Sequence, residues 1–284
     1  MIWDADGWTD RFRRPGAARS RFRELRVEVF ESTVQAVRER GYDTASGRVD
    51  LDVGAAFEAM REGTVMYPRT DDLRVPEGLR GRHVIAVSVI EADCLEVAET
   101  LTAAGLSAAV LNMASRMNPG GGVSRGAGAQ EENLFRRSNL LYSLYQFVGY
   151  GAEYGVPQVP GRYPIGRESG AIYTPGALVF RSSEATGYAF LRGPRAVSFI
   201  SVPAISSPPT ERRADGLRLT EEIAAATRLK IRAIFRTAAH HGHDALVLSA
   251  LGCGAFRNPP QHMALLFGEV LSEPEFTGVF RAVV

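Results

Sequence analysis

Cysteine is scarce in this chain, and no apolar run reaches the length of a membrane span. The 284 residues include two cysteines, Cys94 and Cys253, which lie far apart in the sequence. So few cysteines argue against a disulfide framework and a cysteine-rich zinc site, and they fit a reducing, cytoplasmic compartment. The N-terminus lacks the apolar core of a signal peptide, and no membrane partner is expected.

The chain also lacks a large excess of positive or negative charge. The chain has 33 basic and 32 acidic residues, which gives a formal net charge of +1. No global attraction for nucleic acid is therefore expected. Hydrophobic residues make up 45% and charged residues 23% of the sequence, as in a globular protein. There is no internal repeat and no low-complexity segment, and we expect a monomer.

A glycine-rich stretch between two apolar runs carries the clearest chemical signal. Residues 120–122 are three glycines, and after seven further residues the sequence at 130–132 reads Gln-Glu-Glu. The run at 108–111 predicts a buried strand, and the run at 134–148 predicts a helix. Glycines in such a loop let backbone N–H groups approach a ligand. Two carboxylates beside them indicate acid–base chemistry on a molecule that carries phosphate or sugar.

A second glycine loop follows another predicted strand. Residues 249–258 contain two glycines and directly precede a predicted helix at 261–271. Unpaired N–H groups and the helix dipole make this position a natural diphosphate site. The alternative is an ordinary tight turn, which would be favoured if the loop stood alone. Its pairing with the first loop favours the ligand site.

The two loops together resemble the signature of the poly(ADP-ribose) glycohydrolases, and in particular of the bacterial branch. The resemblance covers residues 80–284 and is carried by the glycine triplet, the seven-residue spacing, Gln-Glu-Glu and the second loop. It implies an α/β fold, a three-layer α/β/α macrodomain-like mixed sheet that binds ADP-ribose beyond the carboxyl ends of its strands. No cofactor and no metal are expected. It also implies mainly exo cleavage of ribose–ribose bonds and a part in the DNA damage response.

The resemblance implies a set of site residues as well. It places acid–base catalysis on Glu132, with Glu131 fixing the ribose hydroxyls. The substrate-binding residues implied at the first loop are Asn118, Gly120, Gly121, Gly122, Val123 and Gln130. Those implied at the second loop, lining the diphosphate, are Gly252, Cys253, Gly254, Ala255 and Phe256, the last of which packs on a ribose or base. Asp93 and Asn112 complete the set.

Several of these residues have a second interpretation. Asp93 is equally explained as the N-cap of a helix and as a partner of the adenine amino group. Asn118 either bonds ribose hydroxyls or serves as a turn residue before Pro119. Cys253 invites comparison with activated thiols at helix N-termini, but no partner base is identifiable, which favours a small loop residue. The histidines around Gly242 are interpreted as helix-terminal residues rather than metal ligands.

The two glutamates also have an alternative, because acids in a first helical turn are common for dipole reasons alone. Adjacent helical residues point about 100° apart. They are thus poorly placed to flank one glycosidic bond as an opposed pair. We therefore expect one glutamate to perform acid–base work and the other to hold the substrate.

The apolar run at 84–90 predicts a strand, and a long helix is predicted from its cap at Thr220 to His241. Residues 149–170, rich in Gly, Pro and Tyr, are predicted to form a long loop. Strands alternate with helices through the second half of the chain, which predicts an α/β sheet. We expect residues 81–284 to form the catalytic domain. Residues 1–80 are predicted to be a mostly helical accessory extension packed on it, and residues 1–19 to be dispensable for folding and catalysis. Three functions follow in order of preference: a poly(ADP-ribose) glycohydrolase, a reader of ADP-ribose, and a hydrolase of mono-ADP-ribosylated substrates.

Overall fold

The computed structural model describes residues 2–16, 18–214 and 216–284. Eight α-helices and eleven β-strands are formed in this part of the chain. The helices are α1 (Ala5–Arg13), α2 (Arg19–Arg38), α3 (Ala56–Gly63), α4 (Cys94–Ala103), α5 (Gln130–Arg137), α6 (Leu140–Leu144), α7 (Glu221–His240) and α8 (Pro260–Leu271). The strands are β1 (Gly41–Thr44), β2 (Gly47–Asp50), β3 (Val65–Tyr67), β4 (Ala86–Val87), β5 (Ala108–Met113), β6 (Ala171–Arg181), β7 (Phe190–Val202), β8 (Thr210–Arg213), β9 (Gly216–Leu219), β10 (Ala245–Val247) and β11 (Ala282–Val283).

Seven strands form one mixed sheet in the order β3–β6–β7–β5–β10–β11–β4. The five strands from β7 to β4 in this order run parallel to their neighbours, and β3 is antiparallel to β6. Parallel neighbours require crossover connections. Helix α8 supplies one between β10 and β11, whereas α4 connects β4 and β5, which are separated by two strands in the sheet, and α7 lies between β9 and β10 in the chain. The predicted α/β class with a mixed sheet is confirmed.

The chain forms two compact units, each assembled from three segments. The first contains the residues up to 64 together with 117–163 and 174–197, and the second contains 65–116, 164–173 and 198–284. Residue 80 is not a boundary of either unit. The predicted division there concerns which part of the chain carries the activity, and it stays a prediction.

The core of the second unit lies where α7 and α8 pack with the strands. Phe235 of α7 contacts Phe276 and Phe280, with ring centroids 5.2 and 5.8 Å apart. All three rings are buried. The long helix predicted to begin after Thr220 is present as α7, although Thr220 makes no side-chain capping bond.

Two predicted elements differ from the structure. The strand expected at 84–90 is reduced to β4 at the sheet edge, with Val84 97% and Val89 96% exposed. The helix expected over 134–148 is interrupted at Ser138, whose backbone is extended. The interruption has a physical reason: Asn139 N–H donates to Leu178 O at 3.1 Å, and Leu178 N–H donates to Asn139 Oδ1 at 2.7 Å. Bonds to β6 therefore replace helical bonds at this point.

The polar stretch after residue 208 also forms regular structure, since β8 and β9 pair as an antiparallel hairpin. Alternation there is weak, because only one of these eight strand residues, Leu219, is buried. None of the helices in the described part of the chain is both long and apolar enough to cross a bilayer.

Trp8 belongs to the core of the first unit, so the premise that residues 1–19 fit no core pattern was wrong. Its ring is 0% exposed and packs with Leu25 and Tyr188. The indole Nε1–H donates to Leu25 O at 2.9 Å, and the ring stacks on Phe12 at 4.6 Å. Helix α1 is therefore fixed to α2 by a buried aromatic side chain whose one polar atom is satisfied.

We expect Trp8→Ala to lower the free energy of unfolding by about 3–5 kcal/mol, as for other large-to-small changes at buried aromatic sites. Urea denaturation of the full chain measures this change. Ile2→Ala is the matched control, because Ile2 is 60% exposed. An effect of Trp8→Ala no larger than that of the control would show that α1 is dispensable, as the sequence indicated.

Candidate active site

The glycine triplet folds back over the first turn of α5. Gly120 and Gly121 have φ values of +75° and +54°, a region that favours glycine. The two first-turn residues that face this loop, Glu131 and Glu132, are 3% and 7% exposed. Two adjacent carboxylates are thus removed from water, which is costly unless the protein supplies hydrogen bonds.

Backbone amides of the triplet supply those bonds. Gly120 N–H donates to Glu131 Oε1 at 3.1 Å, and Gly122 N–H donates to Glu132 Oε1 at 2.9 Å. Helical side chains lean toward the N-terminus of their helix. Both glutamates therefore reach back to the loop that precedes α5, although they are neighbours in sequence.

The hydrogen bonding of the second carboxylate oxygen distinguishes Glu132. Glu132 Oε2 is buried and has no hydrogen-bond partner among the described residues. An unpaired buried acceptor is rare in native proteins and costs stability. It marks Glu132 as the carboxylate whose free oxygen is available to a bound molecule.

Only glycine fits at position 121. A Cβ placed there would lie 2.5 Å from Glu132 Oε1 and 3.3 Å from Glu131 Oε2. Both carboxylates therefore converge on the space above this one residue. The triplet serves two purposes, since its N–H groups bind the acids and its bare Cα makes room for them.

The second unit contains Asp93 and Asn112. The Asp93 carboxylate accepts from the N–H groups of Leu95 and Glu96 at 3.0 and 3.3 Å, so its N-cap role is confirmed. A partner role toward adenine stays a prediction. Asn112 lies in β5 and is fully buried; its Nδ2 donates to Ser201 Oγ at 3.0 Å, while its Oδ1 has no partner in the described part of the chain.

Asn258 shapes the second glycine loop, and sequence reasoning did not single it out. Its Nδ2 donates to Ile205 O at 2.8 Å and to Gly252 O at 3.1 Å. Gly252 has a φ of +73°, and a Cβ there would lie 2.5 Å from both Ala204 Cβ and Asn258 Nδ2. Asn258 lies directly before two prolines. An asparagine at this position was the signal available in the sequence, because its side-chain amide can bridge the carbonyl groups of a loop.

Three consecutive N–H groups of this loop are left without an acceptor. Gly254, Ala255 and Phe256 donate to nothing among the described residues, and residues 254 and 255 are exposed. Such a run of free donors is a suitable site for an anion. The neighbouring Cys253 is unsuited to nucleophilic chemistry, because burial raises the pKa of its thiol and so disfavours the thiolate.

The three histidines near Gly242 are held by tyrosines. His241 stacks on Tyr173 with ring centroids 3.5 Å apart, and its Nε2 is 2.9 Å from Tyr67 Oη. Burial lowers the pKa of His241 to about 4, with a further contribution from His240 and His243, so the ring is neutral at physiological pH. Within the residues that the structure describes, no group of His, Cys, Asp or Glu is arranged to hold a metal ion.

Comparison with known proteins defines the family. Residues 31–182 match the family described as microbial-type PARG, catalytic domain, which is more than half of the chain. The chain belongs to the microbial-type poly(ADP-ribose) glycohydrolases. No curated protein sequence matches it.

Solved glycohydrolase structures resemble this chain over most of its length. The poly(ADP-ribose) glycohydrolase of Thermomonospora curvata bound to the inhibitor ADP-HPD is 35% identical, with 92% of each chain covered and a TM-score of 0.70. That of Deinococcus radiodurans in complex with ADP-ribose is 29% identical, with 80% of this chain and 88% of that chain covered and a TM-score of 0.62. The glycohydrolase described here therefore has the macrodomain-like fold and is a glycosidase.

In this glycohydrolase, a network of hydrogen bonds holds the loop between the glycine triplet and α5. The sequence analysis did not predict this network. Arg136 of α5 is fully buried; its Nη1 donates to Ala127 O at 2.8 Å and its Nε to Tyr188 Oη at 3.0 Å. Tyr188 donates to Glu184 at 3.0 Å, and Glu184 pairs with Arg26 of α2 at 2.7 Å. The chain from Arg26 to Ala127 thus ties an N-terminal helix to the segment between the glycines and the glutamates.

Two glycines after the triplet let α2 approach this segment. A Cβ at Gly126 would lie 2.1 Å from Arg23 O, and one at Gly128 would lie 2.4 Å from Arg26 Nη1. The spacing of glycines between 120 and 128 was therefore an available signal for packing on another element, in addition to ligand approach.

The charge of Glu131 acts on three tyrosines of the segment after α6. Burial raises the pKa of Tyr145, Tyr150 and Tyr163, that of Tyr150 to about 12, and the negative charge of Glu131 contributes in each case. All three phenols are protonated at neutral pH. The hydroxyl of Tyr163 is buried without a partner in the described residues. This tyrosine-rich stretch was predicted only as a loop.

We expect Gly121→Ala to lower hydrolytic turnover about a hundredfold or more, because its Cβ displaces the carboxylate of Glu132. Gly105→Ala is the control: Gly105 has a φ of +77° but no atom within 4 Å of its Cβ position. The Gly105→Ala variant therefore has the strain of an alanine in the left-handed region but lacks the steric clash expected at position 121. Turnover and thermal unfolding are measured for both variants. Equal turnover in the two would show that space at Gly121 is unimportant.

Proposed function

We propose that this glycohydrolase hydrolyses the ribose–ribose O-glycosidic bonds of poly(ADP-ribose) and releases ADP-ribose, with Glu132 transferring the proton. The relatives with solved structures bind ADP-ribose or ADP-HPD, which supports the substrate class. The observation that carries the assignment of the acid is the second carboxylate oxygen of Glu132, which is buried and has no partner in the described part of the chain.

The reaction requires one proton to be given and one to be taken back. Protonated Glu132 donates from Oε2 to the bridging oxygen as the bond between this oxygen and the anomeric carbon breaks. The anomeric carbon becomes oxocarbenium-like. A water molecule then adds to this carbon and gives a proton to Glu132. The products are two hydroxyl-bearing sugars, and the carboxyl group is restored.

Geometry explains why one carboxylate suffices in this proposal. Glu132 Oε1 is held by Gly122 N–H at 2.9 Å, so only Oε2 points to the reacting oxygen. The substrate diphosphate carries negative charge that stabilises the cation. No second protein carboxylate is then needed opposite Glu132, and an opposed pair is not what adjacent helical residues provide.

Glu131 acts in positioning rather than in proton transfer. Its Oε1 is held by Gly120 N–H at 3.1 Å, which orients the carboxylate for hydrogen bonds with ribose hydroxyls. We place Asn118, Gln130 and Val123 beside the same sugar. The free N–H groups at residues 254–256 are assigned to a diphosphate, in accord with the preference of such donors for anions; Phe256 packs on a ribose or base.

Cleavage from the polymer end, a part in the DNA damage response and a monomeric state are further proposals that rest on the resemblance to the bacterial enzymes. A cytoplasmic location is supported by Cys94 and Cys253, neither of which forms a disulfide within the described residues. The net charge of +1 supports the absence of direct nucleic-acid binding.

We expect Glu132→Gln to reduce polymer hydrolysis by about 10²–10⁴-fold, the usual contribution of a positioned general acid. ADP-ribose affinity should remain, because the amide preserves shape but cannot cycle a proton. Product release from purified polymer and calorimetry with ADP-ribose measure the two quantities. Glu131→Gln should also lower turnover, through lost positioning.

Glu222→Gln is the matched control, since Glu222 lies in the first turn of α7 and is exposed. It tests whether a first-turn glutamate matters only through the helix dipole. Near wild-type hydrolysis by a folded Glu132→Gln protein would contradict the mechanism and favour a protein that binds ADP-ribose without cleaving it. Release of ADP-ribose from mono-ADP-ribosylated protein, but not from polymer, would favour the third function.

We expect Gly254→Val to weaken ADP-ribose binding at least tenfold with unchanged stability. Apart from its two chain neighbours, no atom of the described residues lies within 4 Å of a Cβ at Gly254, so we expect the valine to meet only the ligand. Gly193→Val is the control, because its Cβ position is equally open and it lies in β7, where valine is favoured. Unchanged affinity in Gly254→Val would place the diphosphate elsewhere.

A further inference from the structure

Lys230 is the only lysine of the chain, which otherwise uses arginine for its basic residues. It lies in the middle of α7 and is 3% exposed. Its ammonium group donates to Arg167 O at 2.7 Å. Lysine is almost never fully buried unless it is paired with an acid, so this environment needs an explanation.

Two arginines surround the same segment. Arg116 Nη1 donates to Ile165 O at 3.4 Å, and Ile165 N–H donates to Arg116 O at 3.0 Å. Arg167 follows two residues later and is held by Lys230. Burial, followed by the charges of Arg116 and Arg167, lowers the pKa of Lys230 to about 8. Three cationic side chains therefore act on one another around residues 165–167.

In the described part of the chain, no acid pairs with these three cations. Arg116, Arg167 and Lys230 form no ion pair within the described residues. The acid next to Arg167 is Glu168, which pairs with Arg69 at 3.5 Å.

Other basic residues of α7 show that partners are available on this helix. The arginines at 228, 232 and 236 pair with glutamates at distances of 2.9, 2.7 and 2.8 Å. Lys230 is thus an exception on its own helix. Uncompensated positive charge of this kind is what an anion site requires.

The position also fits a ligand. Arg116 follows the end of β5 at Met113 by three residues, and in parallel sheets ligands bind beyond the carboxyl ends of the strands. In the sequence, Arg116 precedes Gly120 of the acidic loop by four residues. Arg116 is half-buried and Arg167 is exposed, so an anion in solution can reach their guanidinium groups. Lys230 is buried and adds positive charge without contacting the anion.

We propose that Arg116, Arg167 and Lys230 form a second anion site, for a phosphate or diphosphate group, in addition to the one assigned to the second glycine loop. The assignment of its ligand rests on the proposed function: the ligand is a diphosphate of the next ADP-ribose unit along the polymer. The two arginines contact the anion, and Lys230 positions the segment 165–167 and adds to its field. This site favours polymer over free ADP-ribose.

The first experiment uses the single lysine as a reporter. Protein labelled with [¹³Cε]lysine gives one lysine signal, from Lys230. Titration with inorganic pyrophosphate should shift this signal saturably and raise its titration midpoint, because a bound anion favours the charged amine. Arg116→Gln/Arg167→Gln should lose the response, whereas Arg82→Gln, a change at an exposed arginine without an ion pair, should keep it. No response, or an equal response in the double variant, would overturn the site.

The second experiment separates polymer from monomer. We expect the double variant to bind a short ADP-ribose oligomer about tenfold or more weakly, with a shallower dependence on salt. Its ADP-ribose affinity should stay within twofold of wild type. An equal loss for both ligands would overturn the second site, since the arginines would then serve the first diphosphate. Because pyrophosphate binding does not depend on catalysis, failure of polymer hydrolysis in the wild type would contradict the proposed function and leave this test independent.

Discussion

Two hydrogen bonds, from Gly120 to Glu131 and from Gly122 to Glu132, are the interaction on which the rest of this site depends. Hydrogen bonds to a charged group contribute roughly 1.5–3 kcal/mol each, and a buried carboxylate without them loses far more. The loop must therefore lie against the first turn of α5. This constraint explains why the triplet needs glycine at position 121, where a Cβ would meet the carboxylates.

The amides satisfy one oxygen of Glu132, and the other is buried without a partner among the residues that the structure describes. Stability alone would not favour this arrangement, because a partner for Oε2 would lower the free energy of the folded state. Active sites commonly retain such unfavourable features where a substrate completes them. The proposed proton transfer uses the one oxygen that the fold leaves unsatisfied.

The loop is also held from its other side by an N-terminal helix. Arg26 of α2 acts through Glu184 and Tyr188 on Arg136, which holds Ala127 O. The N-terminal region therefore contacts, through this series of side chains, the segment that precedes the acids. Trp8 extends the same dependence to α1, because its buried indole fixes that helix to α2.

Elements with a strong local signal were predictable. Asp93 capping α4, the strand β5 and the long helix α7 follow from caps and periodicity within a few residues. Elements that depend on distant partners were not. The helix after Glu132 was predicted to continue because its apolar pattern continues, but bonds to β6 end it at Ser138.

The sequence by itself determined the family signature: glycines, seven residues and a pair of glutamates form a compact local pattern, which predicted a ligand loop beside two carboxylates. Tertiary structure decided which carboxylate keeps a free oxygen, how Asn258 shapes the second loop and which residues brace the acids. The physical reason is separation along the chain. Arg26 and Glu184 are 158 residues apart, and no local periodicity records that two such side chains meet.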